Sequence, residues 1–120
     1  MDDSIQATSD AYRLAYESAL AGIAIADLEG KLRNVNPAFV EMWGYDSEDD
    51  VLGRSVTEFW EDPDEAAAVA STVIKRGEWE GELLAEAKDG STFSVHVTGS
   101  VVTDANDDPV YIMSSFVDIM

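Results

Sequence analysis

Residues 22–53 read GIAIADLEGKLRNVNPAFVEMWGYDSEDDVLG, and this stretch decides the fold. Its first half reads as a hairpin. Residues 22–27 form an apolar run with two β-branched side chains, and Leu28, Glu29 and Gly30 turn the chain, Gly30 being free to take a positive φ. Residues 31–35 alternate polar and apolar, as a half-buried strand does. Leu32 and Val35 do not share a face under strict alternation, which predicts a twist or an early strand end near Asn34. Asn36-Pro37 then opens a helix: Asn is a good N-cap, and Pro fits the first helical position, where no N–H is needed. Ala38, Phe39, Met42 and Trp43 recur at helical spacing, and Gly44 stops the helix. Ser47 followed by Asp50 approximates a capping box for a second short helix ending at Gly53.

Outward from this unit, Ser9 or Asp10 can cap a helix over 9–20. That helix carries a stripe of Ala11, Leu14, Ala15, Ser18 and Ala19, with Tyr12 and Tyr16 at its edge. Residues 1–8 are polar and expected to fray. Residues 54–61 read as a connector. Asp62-Pro63-Asp64-Glu65 starts a helix to about Arg76, with Ala66, Val69, Ala70, Val73 and Ile74 as its buried stripe and Gly77 as its stop. Three strands follow, over 79–87, 91–102 and 110–119, joined by the turns Lys88-Asp89-Gly90 and 103–109. Trp79, Gly81, Leu83 and Ala85 share one face of the first. Phe93, Val95, Val97 and Val101 share the inner face of the second, with His96 pointing outward.

Composition bounds function. A chain of 120 residues is long enough for one core. It has no cysteine, hence no disulfide, thiolate metal site or thiol nucleophile. No apolar run is long enough to span a bilayer. Twenty-five acidic residues face seven basic ones, a net charge of −18 spread over the whole chain. Such a surface repels DNA, RNA and anionic membranes, so nucleic acid and membrane are set aside as partners. The even spread favours adaptation to a salt-rich cytoplasm over a local acidic docking patch. At molar salt the Debye length falls to about 3 Å, and repulsion between surface carboxylates largely disappears.

The succession of Asp27, Gly30, Asn36, Ala38, Gly44, Tyr45, Gly53 and Arg54, then Trp79-Glu80-Gly81-Glu82-Leu83, Lys88-Asp89-Gly90-Ser91 and Asp118-Ile119, resembles a PAS domain. The resemblance runs from about residue 12 to 119. It implies an α+β fold: a five-stranded antiparallel sheet in the order 2-1-5-4-3, helices on one face, and a leading helix before a core over 22–120. It implies a non-catalytic sensory and dimerisation module of a larger signal-transduction protein, such as a histidine kinase or transcription regulator. In such proteins the leading helix packs on the outer sheet face or pairs with a second subunit, and an effector domain follows on the same chain. It also implies an apolar ligand pocket lined by Ile23, Ile25, Asn34, Phe39, Met42, Trp43, Val69, Val73, Phe93 and Val95, with Trp60 and Tyr45 at its rim. The competing expectation is that these side chains simply fill the core, since each contributes about 1.5–3 kcal/mol when buried. Asp118 and Ile119 stand at the family's output triplet. Met120 replaces its threonine, so the native chain is expected to continue.

Cofactor chemistry is narrow. Haem-binding relatives hold iron through a histidine on the long helix, and residues 63–76 contain none. Cysteine-adduct flavin chemistry lacks its cysteine. The acidic groups 49–50, 62–65 and 107–108 lack calcium-loop spacing and read as caps and a turn. Two alternatives remain open: an interaction domain with a filled core, and a small α+β enzyme using one buried carboxylate of raised pKa.

Overall fold

The computed structural model describes residues 21–119. The helix expected over 9–20 lies outside the described residues.

The chain runs β1 (Gly22–Asp27), β2 (Leu32–Val35), α1 (Pro37–Trp43), two single-turn 3₁₀ segments (Glu48–Asp50 and Val56–Phe59), α2 (Pro63–Arg76), β3 (Glu78–Glu86), β4 (Thr92–Thr103) and β5 (Pro109–Asp118). The five strands form one antiparallel sheet in the order β2-β1-β5-β4-β3. Helix α1 packs on β1, and α2 lies across β3, β4 and β5. The core sits between these helices and the inner sheet face, where Ala24, Ala26, Leu83, Ala85, Val95, Val97, Ile112 and Phe116 are buried.

The β1–β2 turn is tied by one carboxylate. Asp27 Oδ1 accepts from the Glu29 and Lys31 backbone N–H groups, each at 3.0 Å. Asp27 Oδ2 accepts from Arg33 Nε at 2.9 Å. The Lys31 N–H above all, with Arg33 and Glu29, holds the carboxyl below aspartate's ordinary 3.8 against partial desolvation. Strand β2 does not end at Asn34. A register shift between Ile25 and Ala26 leaves Arg33 as an extra residue opposite β1. That bulge brings Leu32 and Val35 to the same buried face, which strict alternation forbids.

Asn36 joins the hairpin to the helix. Its Oδ1 accepts from Phe39 N at 3.0 Å, capping α1, and from Ile23 N at 2.8 Å on β1. Its Nδ2 donates to the Ala21 carbonyl at 3.0 Å. It is the one polar residue in the buried set of described residues. Pro37 fills the first helical position, and Gly44 closes α1 in the left-handed region at φ 81°.

Two local caps organise the segment between α1 and α2. Ser47 and Asp50 form the expected capping box. Ser55 and Glu58 form a second, which turns the expected connector into an ordered segment. Asp62 caps α2 by accepting from the Asp64 and Glu65 N–H groups. Ala66 and Val73 are buried on α2, but Ile74 is 37% exposed. One residue past Val73 is a rotation of about 100°, which carries Ile74 out of the stripe.

The face assignment of β1 also differs from expectation. Gly22, Ala24 and Ala26 point inward, while Ile23 and Ile25 point to the outer face and are half-buried. A Cβ on Gly22 would lie 3.2 Å from the Phe39 Cα, so α1 rides too close to β1 for large inward side chains.

Two outcomes are expected. Asn36→Ala removes a cap and leaves the Ile23 N–H and Ala21 carbonyl unmatched, at a cost of about 3 kcal/mol, read from the urea midpoint. Asp27 has a depressed folded pKa, so its contribution is complete above pH 3.8 and drains as pH falls through its lower folded value. Asp27→Asn should therefore flatten the acid limb of a stability–pH curve and leave its neutral shape unchanged.

Candidate functional site

The interior is organised by a cluster of aromatic rings. Phe39 and Trp43, four residues apart on α1, stack with centroids 4.5 Å apart. Trp43 meets Trp60, Phe93 and Phe116 edge-on at 5.5, 5.2 and 5.2 Å. Its indole Nε1 donates to the Phe59 carbonyl at 2.9 Å, so the second 3₁₀ segment hangs from α1 by this bond. Arg54 lies 4.8 Å over the Phe59 ring and donates to the Tyr45 hydroxyl and to Glu58 Oε1, sealing that side.

These rings leave part of the core beneath α2 unfilled. There a cavity of about 70 Å³ remains. Val69, Ala70 and Val73 of α2 form its roof; Ala24, Ala26, Val97, Gly99, Ile112 and Ser114 form its sheet floor; Phe39, Phe59, Trp60 and Phe116 close its sides. No ionisable side chain lines it. Gly99 admits the close approach of α2 to the floor, because a Cβ there would lie 3.1 Å from Val73 Cγ2 and 3.5 Å from Ser114 Oγ.

Of the residues expected at the pocket, Phe39, Val69 and Val73 line this cavity, and so does Trp60. Trp43 and Val95 are fully buried in the cluster behind the wall, with Phe93 and Met42 packed against it. Ile23 and Ile25 face the other side of the sheet. Asn34 is exposed beside a surface groove with Tyr45 and Ser47. Sequence reasoning passed over Gly99 and Ser114. A glycine inside a strand signals close approach of a neighbour, and extending the alternation of Val95 and Val97 by one step reaches Gly99.

The remaining charged groups have local roles. Asp104 Oδ1 accepts from the Asn106 and Asp108 N–H groups in the β4–β5 turn. His96 meets Glu80 at 2.9 Å on the outer face. No group of three metal-ligating side chains converges among the described residues. Asp118 pairs in register with Val95, and the Ile119 N–H donates to the Ser94 carbonyl at 3.1 Å, so the end of β5 is held against the start of β4.

The family model for the PAS domain matches residues 20–120. This chain belongs to the PAS domain family. The sensor histidine kinase TmoS of Ectopseudomonas mendocina is 26% identical over 121 residues, a match that covers 97% of this PAS domain and 12% of the kinase. The chain thus spans a small part of that relative's length. The PAS domain of a Colwellia psychrerythraea protein superposes with a TM-score of 0.84 at 22% identity, covering 93% of this chain and 97% of that one. The PAS domain of an HTR-like protein from Haloarcula marismortui gives a TM-score of 0.78 at 29% identity, covering 98% and 97%. A sensory module is the role these likenesses support for this PAS domain.

Trp43→Phe keeps most of the ring packing but leaves the buried Phe59 carbonyl without its donor. It should cost about 2 kcal/mol, measured by urea unfolding followed at the remaining tryptophans.

Proposed function

We propose that this PAS domain is a non-catalytic sensing and self-association module of a larger cytoplasmic signal-transduction protein, which passes its state to an effector domain on the same chain. The observation that carries this reading is the outer face of the sheet. Tyr111, Met113 and Val117 of β5 stand there 43%, 42% and 47% exposed. Ile25 is opposite Met113, and Val102 is opposite Tyr111. An apolar strip of this kind on a strongly acidic domain fits a protein partner better than water. Its acidic fringe lies to one side, on β3, where Glu78, Glu80 and Glu82 share the outer face. A second copy can therefore meet the β1–β5 strip with the two fringes directed away from each other. The apolar stripe of residues 9–20, which lead directly into β1, suits the same surface.

A wall without ionisable groups supports a non-catalytic interior, since acid–base chemistry needs a titratable group within reach of the reacting atoms. The aromatic cluster favours the alternative of an interaction domain with a filled core, and the cavity beneath α2 speaks against it. Asp118, at the end of β5, suits the coupling of sheet to a following segment. The charge of −18 supports a salt-rich solvent.

Met113→Glu combined with Val117→Glu places two charges on the strip without touching the core. In molar potassium chloride the native chain should sediment as a dimer and the double variant as a monomer with an unchanged circular dichroism spectrum. A native chain that sediments as a monomer, or a variant that still dimerises, would remove the outer face as the association surface.

A further inference from the structure

We propose that the cavity beneath α2 binds a neutral molecule of about three or four non-hydrogen atoms, mostly aliphatic, with one oxygen that pairs with the Ser114 hydroxyl. A short-chain alcohol or ketone meets this description. The inference rests on the sensory reading above and names the class of ligand sensed.

Size sets the first limit. A dry cavity of about 150 Å³ holds a benzene ring. The space here is about 70 Å³, so an aromatic ring, a flavin or a fatty acyl chain does not fit without moving α2. Polarity sets the second. The side chains on the wall offer only two hydrogen-bonding groups, the Ser114 hydroxyl and the Trp60 indole N–H. No hydrogen bond joins Ser114 Oγ to any described residue. Two hydrogen-bonding groups are the least that a buried water needs, and the rest of the wall is hydrocarbon, which an aliphatic molecule covers and water does not. A molecule that offers carbon to most of the surface and one oxygen to Ser114 satisfies both demands. Charge sets the third. No cation or anion on the wall offsets the desolvation of an ionised ligand, so carboxylates and amines are excluded.

Geometry identifies the residues that set specificity. Ser114 lies directly opposite Gly99 in the β4–β5 pairing. Gly99 lets Val73 of α2 pack directly on β4 beside Ser114, since a Cβ there would lie 3.1 Å from Val73 Cγ2. Ser114 selects for oxygen, and Ala70 limits length from the helix side. The small size of the ligand caps affinity: the best small ligands gain a fixed maximum per atom, which puts the dissociation constant no tighter than about tens of micromolar. The site therefore suits a solute or volatile present at high concentration.

The test is a titration of ¹⁵N-labelled 120-residue chain with propan-2-ol, acetone and xenon in molar potassium chloride, followed through the amide signals of Ala70, Val73, Gly99 and Ser114. All three probes should shift these signals saturably. Ser114→Ala should weaken propan-2-ol and acetone about fivefold and leave xenon unchanged. Ala70→Leu fills the space from α2 and should abolish binding of all three; Ala70→Met serves where Ala70→Leu does not fold. Saturable shifts that persist in both filled variants, or oxygenated probes indifferent to Ser114→Ala, would overturn the proposal. So would native protein that binds xenon alone. Sedimentation of the same samples reports association separately, so loss of ligand binding and loss of the self-association reading are distinguishable.

Discussion

The side chain of Asn36 is the joint on which the molecule turns. One amide oxygen caps α1 and also takes the Ile23 N–H of β1, while the amide nitrogen holds the Ala21 carbonyl. A helix and a strand are thereby fixed at one point, inside a site where water cannot replace any of the bonds. Everything on the inner face depends on that position. Phe39 and Trp43 are set one turn apart over the sheet, Trp43 reaches back to Phe59, and the second 3₁₀ segment is brought beside them. The close approach also decides what β1 can hold: Gly22, Ala24 and Ala26 inward, the isoleucines outward.

Legibility in the sequence tracked how local each cause is. The caps were readable because Asn36-Pro37, Ser47, Asp62-Pro63, Gly44 and Gly77 act on backbone groups within a few residues of themselves. The strand order came from the family resemblance, because spacing along the chain does not say which strands pair. The faces of β1 were not legible from alternation alone. Both faces are apolar, so hydrophobicity does not choose between them; the small residues at every second position did carry the answer, once read as room for a helix. The bulge at Arg33 needed the pairing with β1 to be seen, and Ile74 was counted into the stripe of α2 because it is apolar, not because its angle fits. Ser55-Val56-Thr57-Glu58 had the form of a capping box and went unread inside a presumed connector.

The candidate site shows the same division. Phe39, Val69 and Val73 were legible because large apolar groups on the inward faces of α1 and α2 have nowhere else to go, and Trp60 because a large ring beside them has the same need. Gly99 and Ser114 were not, because what they contribute is the absence of volume and a single hydroxyl. Neither registers in a pattern built on hydrophobic periodicity. A space inside a core is a property of what the neighbours fail to fill, and it emerges only when α2, β4 and β5 are set against each other.

Strand β5 has a different character on each side. Ser114 belongs to the floor of the cavity, and its sequence neighbour Met113 belongs to the exposed strip outside. The two regions are separated by a single thickness of backbone, like rooms sharing a party wall. Inside and outside are thus joined through one strand of backbone, with no chain of intermediaries between them.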